Sequence, residues 1–401
     1  MNKATLHLPG VRAPSRAPLA LALTAALGVA ALPGLAQATT YLVTTSGDAG
    51  DSTCDATCTL RDAILAANAN PGADTITFAS TLSGDTILLD IAGKGNIKIT
   101  DSLTIQGPGA NLLTVSGGNA TSSDSGGLVH VTTNSLTVSI SGITLANGHT
   151  TGVGGALAAA LGTVNLSGVA IQNSYAQMFG GGFDLPNGGA VNIDHSTISG
   201  NRTGSSGGGF VTNYATVTLV DSTVTGNYAA GGGGGFYVRA ALTVNNSTIS
   251  GNTANGFGRG FWLAKFDGTL TNSIVANNAN GGGNEFDATG QLGVPNNVTA
   301  NNTLIEGSYS VSGTFSGANN ILGQDPKLGP LTNNGGPTQT LALLPGSPAI
   351  DAGNNGTCET TDQRGVARPY DGDKNGSAIC DMGAFEVGLI DLDRIFANGF
   401  D

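Results

Sequence analysis

The residues best suited to bind a metal ion lie near the C-terminus of the sequence. Asp371, Asp373 and Asn375 carry side-chain oxygens at alternate positions, and Gly376 stands at the sixth position of the run. Calcium-binding loops begin with this spacing, because alternate oxygens converge on a hard cation while the glycine allows a sharp turn. The run therefore predicts a calcium site, and the sequence indicates no other cofactor.

The match to a calcium loop is incomplete. Its twelfth position is Met382, where such loops place a bidentate Glu, so Asp381, backbone carbonyls or water would have to complete the coordination. The alternative interpretation is an acidic turn tied down by Cys380.

Two aromatic and two basic residues form a second candidate site. Tyr237 and Trp262 occupy the same position in successive repeats, with Arg239 and Lys265 close behind them. Since side chains alternate along a strand, both rings are predicted to point outward. Exposed rings beside hydrogen-bonding cations suit the binding of a polysaccharide or another cell-surface component. The alternative is a cross-strand pair that stabilises the sheet by up to about 1 kcal/mol.

Acids and bases that could catalyse a reaction are scattered along the chain. A glycoside hydrolase needs two carboxylates roughly 5–10 Å apart, and a lyase needs a base beside a cation. No two acids recur at one position of adjacent repeats, and His195 directly follows Asp194, so alternation points the two to opposite faces. The residues considered are Asp184, Asp194, Asp221, Asp267, Arg202, Arg239 and Lys265. None is assigned a catalytic role.

These candidates are positioned by an internal repeat of about 26 residues. Four-residue motifs such as Ile198-Ser199-Gly200-Asn201 recur, and each repeat has three apolar columns, one of them marked by aromatic rings. That column contains Leu157, Phe183, Phe210, Phe236 and Phe261. The asparagines Asn201, Asn227, Asn252 and Asn277 close the motifs and predict an amide ladder at one turn.

Three apolar columns per repeat predict three short strands per coil of chain. Each alternates over only four or five residues, and one repeat cannot bury its own apolar face. Stacked coils about 4.8 Å apart pair every strand with its counterparts above and below. The expected fold class is all-β, a parallel β-helix of the pectate-lyase-like solenoid type. A hexapeptide coil or a propeller would need a different repeat length.

The two ends of such a helix expose unpaired strand edges and need covering. Leu60, Ala63, Ile64 and Ala67 share one helical face behind the capping residue Thr59, which predicts a helix that plugs the N-terminal end. Irregular, proline-containing sequence in residues 325–369 is expected to close the last coil.

Composition restricts the partners of the protein. Of 401 residues 64 are glycine and only 10% are charged, and the net charge of −12 excludes a nucleic-acid-binding role in the absence of a basic cluster. Lys3, Arg12 and Arg16 precede an apolar run and the Ala36-Gln37-Ala38 cleavage pattern, which predicts an export signal over residues 1–38. Its removal lowers the net charge to −15. No later run is long enough to span a membrane, and a monomer is expected.

The four cysteines, Cys54, Cys58, Cys358 and Cys380, indicate disulfides in an exported chain. Three connectivities are possible, and local pairing favours Cys54 with Cys58 and Cys358 with Cys380. A zinc site from all four thiolates is the alternative, but the spacing lacks the two close pairs typical of zinc.

Several stretches resemble two known families of exported bacterial proteins. Cys58-Thr59-Leu60-Arg61-Asp62-Ala63-Ile64 is similar to the Cys-Ser-Leu-Arg-Glu-Ala (CSLREA) motif, and Gly346-Ser347-Pro348-Ala349-Ile350-Asp351-Ala352-Gly353 resembles the choice-of-anchor Q domain. Asn333-Asn334-Gly335-Gly336-Pro337-Thr338-Gln339-Thr340 and Asp362-Gln363-Arg364-Gly365 belong to the same resemblance. It implies a secreted or surface protein with a right-handed β-helix, variable C-terminal anchoring and no assigned catalytic residues. The ending Asp393-Arg394-Ile395-Phe396-Ala397-Asn398-Gly399-Phe400-Asp401 resembles short tails on exported proteins of some proteobacteria, which implies a sorting tag, with a frayed terminus as the alternative.

The sequence therefore predicts an exported, non-enzymatic β-helix protein at the cell surface or in the medium of a Gram-negative bacterium, binding polysaccharide or mediating adhesion. The alternative is a polysaccharide lyase or glycoside hydrolase of the β-helix class. The predicted organisation is a signal peptide (1–38), an N-terminal cap (39–90), coils (91–324), a C-terminal closing segment (325–388) and a tail (389–401).

Overall fold

Short runs of alternating apolar and polar residues form the strands of this protein, and glycine or asparagine follows about half of them. The computed structural model describes residues 37–185, 187–278, 283–289 and 295–388, together with residues 1 and 10. The strands pair in parallel with their counterparts one coil away, which confirms the expected β-helix. The predicted signal peptide and tail lie almost entirely outside the described residues.

The strands form sheets that run along the helix, and neighbouring strands of one sheet come from successive coils. The first sheet contains Thr40–Val43, Asp74–Phe78, Leu103–Gln106, Leu136–Ser141, Gly162–Ser167, Gly189–Asp194, Ala215–Val220, Leu242–Asn245, Gly268–Thr271, Val298–Asn301 and Phe315–Ser316. The second sheet contains Asp85–Leu88, Leu113–Ser116, Thr144–Ala146, Ala170–Gln172, Thr197–Ser199, Thr223–Thr225, Thr248–Ser250, Ile274–Ala276, Leu304–Ile305 and Ile321–Leu322.

To the expected three strands the structure adds a further strand of two residues in several coils. This short third sheet contains Thr121–Ser122, His149–Thr150, Tyr175–Ala176, Arg202–Thr203, Tyr228–Ala229 and Thr253–Ala254. The fourth sheet contains Ile97–Ile99, Val129–Val131, Leu157–Ala159, Phe183–Leu185, Phe210–Thr212, Phe236–Val238, Phe261–Leu263, Phe286–Ala288 and Tyr309–Val311. A glycine-rich corner joins the third sheet to the fourth. Gly208 is required there because a Cβ would lie 2.1 Å from a backbone oxygen of the next coil.

Phenylalanine rings fill the interior behind the fourth sheet. The rings of Phe183, Phe210, Phe236 and Phe261 lie almost parallel, with successive centroids 4.6, 4.7 and 5.1 Å apart. All four side chains are buried. The stack continues through Phe286. One ring per coil therefore forms a continuous core, since neighbouring coils repeat at nearly the same spacing.

Buried asparagine side chains form a ladder of hydrogen-bonded amides in the turns that follow the second-sheet strands. The Nδ2 groups of Asn201 and Asn227 donate to Oδ1 of the asparagine in the next coil at 3.0 and 2.9 Å. Asn252 donates in the same way, at 2.9 Å, to Asn278. These amides also bond backbone groups, as in the 2.9 Å contact from Asn201 to the carbonyl of Ile171.

The prediction that Asn277 is the fourth member of the ladder was wrong by one residue, because Asn278 takes that place. The strands pair Ile249 with Val275, so Ile274 takes an outward position and the register moves forward by one. Asn277 then occupies the left-handed position, with φ of 58°, that Gly251 fills in the preceding coil. Asparagine tolerates this conformation better than most residues.

The N-terminal helix forms as the sequence indicates. The helix Leu60–Ala69 begins at Thr59, whose side chain accepts from the backbone N–H of Asp62, and the Asp62 carboxylate accepts from the N–H of Thr59. The helix packs on the strands Ile97–Ile99 and Thr40–Val43. Short helical turns follow at Ser80–Leu82 and Ile91–Lys94. An Arg61–Asp48 ion pair of 2.8 Å, nearly excluded from solvent, ties the helix to the preceding loop.

The C-terminal segment, residues 325–388, lies along the side of the coils, although the sequence indicated that it closes the last one. After the antiparallel hairpin of Leu328–Thr332 and Thr340–Leu343, it covers the outer face of the second sheet. Phe385 and Met382 pack on the outward Ile274. Apolar and threonine side chains on this outer face need a cover, because exposed contiguous apolar surface is unfavourable.

The cysteines lie in two pairs at disulfide distance, as expected. Cys54 is paired with Cys58 and Cys358 with Cys380, and no free cysteine remains in the chain. No helix within the described part of the chain has the length and apolar character needed to cross a membrane.

Candidate functional site

The predicted aromatic and basic residues do come together on the outer side of the fourth sheet. Tyr237 and Trp262 are register partners, with ring centroids 4.6 Å apart and planes tilted by 36°. The ring of Phe257, from the preceding corner, lies 5.4 Å from that of Trp262. Phe257 is 58% exposed, so its ring extends the aromatic surface into solvent.

The basic side chains continue this surface into the next turn. Arg239 and Lys265 both approach the ring of Tyr214, with Cζ and Nζ at 5.5 and 4.9 Å from its centroid. Lys265 also lies 5.5 Å from the ring of Phe266. The rings of Tyr214 and Phe266 are 51% and 43% exposed. We call the set Tyr214, Tyr237, Arg239, Phe257, Trp262, Lys265 and Phe266 the aromatic-basic face.

Tyr237 does not provide the open ring that the sequence indicated. Its side chain points outward but is only 6% exposed, because Trp262, Val211 and Ala264 pack around it. Burial raises the pKa of its hydroxyl, partly offset by the nearby Arg239 charge. The corner allows this packing, since a Cβ on Gly232 would lie 2.8 Å from Cε3 of Trp262. The rings open to a ligand are therefore Phe257, Tyr214 and Phe266, with part of Trp262.

Sequence reasoning missed these exposed rings because they lie in turns, outside the strand periodicity. Tyr214 has a positive φ of 67°, a turn conformation that strand alternation does not describe. For two of them the sequence held a signal, because Tyr214 and Phe266 each stand in the short turn directly after a fourth-sheet strand, Phe210–Thr212 and Phe261–Leu263.

Acidic residues extend the same outward column but are closed off from solvent. Asp184 lies two coils before Tyr237, and burial raises the pKa of its carboxyl to about 7. Neither of its oxygens has a hydrogen-bond partner among the described residues. Asp287 follows Trp262 in the column, is 3% exposed, and accepts from Asn284 at 2.7 Å. Neither carboxylate can reach a bound polymer in this arrangement.

A second acidic cluster lies where the C-terminal segment meets the coils, and it consists of Asp221, Asp381 and Glu386. Arg368 lies 3.5 Å from Asp221 and 3.2 Å from Glu386, with all of these side chains buried. Burial raises the pKa of Asp381, which shares this site, well above its usual range, and the Glu386 charge raises it further. These groups therefore bind each other and the backbone of the segment.

Strand alternation predicted that His195 and Asp194 face opposite ways, and this prediction was wrong. The strand ends at Asp194, and His195 adopts a turn conformation with φ of 48°, so Nδ1 lies 3.4 Å from the Asp194 carboxylate. The carboxylate raises the pKa of the imidazole. The backbone carbonyl of His195 accepts from Thr338 and its Nε2 lies 3.4 Å from Thr361, which places the residue beside the C-terminal segment.

The predicted calcium ligands lie in a tight acidic turn. Asp371 and Asp373 meet Asp351, a residue that the sequence did not indicate, with one carboxylate oxygen from each within 4.8 Å of the others. Asn375 instead turns its Oδ1 toward the N–H of Ser377, at 2.9 Å. Burial, together with the Asp373 charge, raises the pKa of Asp351.

Comparison with known proteins bears on the fold. A family model described as a right handed beta helix region matches residues 126–304, which include the phenylalanine stack and the aromatic-basic face. No curated protein and no solved structure matches the chain. The match and the strand register together identify the fold as a right-handed parallel β-helix.

Proposed function

We propose that this chain is an exported, non-enzymatic β-helix protein that binds polysaccharide through the aromatic-basic face. The observation that carries the proposal is the contact chain Phe257–Trp262–Tyr237 together with the exposed Tyr214 ring, over which Arg239 and Lys265 lie. Ring faces pack on the apolar faces of sugars, and cations bond their hydroxyls and carboxylates. Although the net charge of the chain is −12, the positive charges of Arg239 and Lys265 give this face a local preference for acidic polysaccharides.

The positions of the acids support a binding role over catalysis. Hydrolysis requires a pair of accessible carboxylates, and elimination requires an accessible base near a cation. Asp184 and Asp287 are buried, and Asp221 and Glu386 are held by Arg368. Asp267, the residue after Phe266, is exposed and its carboxylate accepts from Asn297, so the lyase or hydrolase alternative would have to use this carboxylate beside the aromatic-basic face.

Export is supported by the paired cysteines and by the resemblance of residues 58–64 to the motif of exported proteins. Disulfides persist in oxidising compartments and are rare in the cytosol. We therefore place the mature protein outside the cell, on the surface or in the medium.

A polysaccharide panel tests the binding proposal. We expect the wild-type protein to bind one or more acidic polysaccharides, and Phe257→Ala with Lys265→Ala to weaken that binding at least tenfold while the melting temperature stays unchanged. Leu88→Ala, which truncates a 57% exposed side chain on another coil, is the matched control. Assays for unsaturated products and reducing ends run in parallel. Intact binding by the folded double variant, or release of either product, would end the proposal.

We also propose that the Asp351, Asp371 and Asp373 carboxylates bind calcium. The convergence of acids from two separate loops supports this, because hard cations take several carboxylate oxygens. Calcium should raise the melting temperature of the wild-type protein in proportion to its binding, and Asp351→Asn should abolish the rise. Asp85→Asn, an exposed acid elsewhere, is the control. A calcium response equal in both variants would show that this turn does not hold the ion.

A further inference from the structure

A polar cleft opens where the C-terminal segment ceases to cover the second sheet. From Thr197 onward the outer face of that sheet is bonded to the segment, beginning with the Thr197 hydroxyl on the carbonyl of Gln339 at 2.6 Å. Before Thr197 the same face carries Ala170 and Thr144, which form the floor of a cleft of about 230 Å³. The cleft is separate from the aromatic-basic face, because that face lies on the outer side of the fourth sheet.

The walls of the cleft come from distant parts of the sequence and are held by hydrogen bonds. One wall is the loop at Asn111, fixed by a 2.6 Å bond from the Thr144 hydroxyl to the carbonyl of Ala110. The other is the stretch from Asn333 to Gln339, anchored by the bond from Thr197. The cleft therefore has hydrogen-bonded walls and forms where the C-terminal segment packs on the coils.

Three amide side chains that line the cleft lack protein partners. Asn111, Gln172 and Gln339 make no side-chain hydrogen bond to any other residue that the structure describes. Each amide offers both a donor and an acceptor to a ligand. Pro337 and Ala170 supply a small apolar surface between them.

The lining points to one class of ligand. No charged residue lines the cleft within the described chain, so it offers nothing to neutralise a carboxylate, a phosphate or an ammonium group. Amides and hydroxyls that donate and accept match the paired character of sugar hydroxyls, and the apolar surface suits the C–H face of a ring. The volume lies below the roughly 300–1,000 Å³ of pockets for larger ligands.

We propose that this cleft binds a neutral saccharide, a short oligosaccharide or the end of a longer chain. Asn111 and Gln339 bond its hydroxyls from the two walls and Gln172, from the strand of Ala170, bonds them from the floor. This site does not depend on the aromatic-basic face, which is basic and favours acidic polymers. The protein thus holds two carbohydrate surfaces of different charge preference.

The test uses the full mature chain and a set of neutral gluco-, manno-, galacto- and xylo-oligosaccharides, with oligogalacturonate as the charged arm. Calorimetric titration at up to about 10 mM saccharide detects a weak Kd near 1 mM. We expect at least one neutral oligosaccharide to bind and the double variant Asn111→Ala with Gln172→Ala to bind it at least tenfold more weakly. Gln106→Ala, an exposed amide in the first sheet, should leave binding unchanged.

A second variant keeps the outcome decisive. If the double variant fails to fold, Gln339→Ala truncates an exposed amide on the opposite wall and should still weaken binding. The Phe257→Ala and Lys265→Ala variant should bind the neutral ligand normally, so failure of the cleft and failure of the aromatic-basic face are distinguishable. The proposal is overturned if no neutral oligosaccharide binds, if only the oligogalacturonate binds, or if the folded cleft variants keep full affinity.

Discussion

Arg368 of the C-terminal segment lies against Asp221 of the coils, with Nη2 3.5 Å from Oδ1, and both side chains are buried. The same guanidinium donates to the backbone carbonyls of Asp381 and Gly383, at 2.9 and 2.7 Å. The Arg368 guanidinium thereby links two parts of the C-terminal segment to each other and to the β-helix. Burial raises the pKa of Asp221 to about 7, although the Arg368 charge opposes that rise.

Replacing Arg368 should loosen the segment. Arg368→Ala leaves Asp221 and Glu386 buried without their cation, and breaking a buried pair typically costs about 3–5 kcal/mol. Urea unfolding should show that loss, and limited proteolysis should cut residues 325–388 faster. Arg202→Ala, an exposed arginine on the third sheet, should change stability little. Equal stability of the two variants would remove Arg368 from this role.

The phenylalanine stack should carry much of the core stability. Phe236 is fully buried between the rings of Phe210 and Phe261, so Phe236→Ala should cost about 3–5 kcal/mol. Phe257→Ala makes the same substitution at a 58% exposed ring and should cost far less. Calorimetric melting of both variants gives the comparison. An unchanged melting temperature for Phe236→Ala would contradict the packing of this stack.

Stability should fall as the pH rises from about 4 to 7. Burial raises the pKa of Asp184 from 3.8 to about 7, so in this window the folded carboxyl holds a proton that the unfolded chain has lost. The stabilisation is complete below pH 4 and lost above pH 7, and for Asp184 it amounts to roughly 4 kcal/mol.

Replacing Asp184 by asparagine, its uncharged isostere, tests whether this carboxyl causes the fall of stability with rising pH. Asp184→Asn should flatten the pH dependence of the unfolding free energy, while the exposed Asp85→Asn should leave it as in the wild type. Asp221 acts in the same direction and remains in both variants, so some decline should persist. A pH profile of Asp184→Asn that matches the wild type would show that this carboxyl is ionised in the folded protein.

The disulfides should appear as linked peptides in a non-reducing mass map of the oxidised protein, joining Cys54 to Cys58 and Cys358 to Cys380. The second bridge closes a loop over a separation of 22 residues, so Cys358→Ser with Cys380→Ser should cost about 3 kcal/mol by chain entropy. Labelling of free thiols in the oxidised protein would contradict the pairing.

The β-helix could be read from the sequence because its determinants are local and repeat. Alternation places Phe183 and Phe210 inside, and their recurrence once per coil leaves stacking as the arrangement that buries both. The helix behind Thr59 was predictable for the same reason, since its cap and apolar face lie within one short stretch. The slip at Asn277 shows the limit, because a motif match does not reveal which of two neighbouring apolar residues, Ile274 or Val275, points inward.

By itself the sequence determined the fold class, the core column and the capping helix that the structure shows, and it favoured one of three cysteine connectivities, which the structure confirms. The burial of Tyr237, the addition of Asp351 to the acidic turn and the cleft between Asn111 and Gln339 were decided only by the tertiary structure. Each of these depends on how non-repeating segments, such as the C-terminal segment, pack on the coils. Periodicity describes how a coil meets its neighbours, but it contains no information on which distant loop covers an outer face.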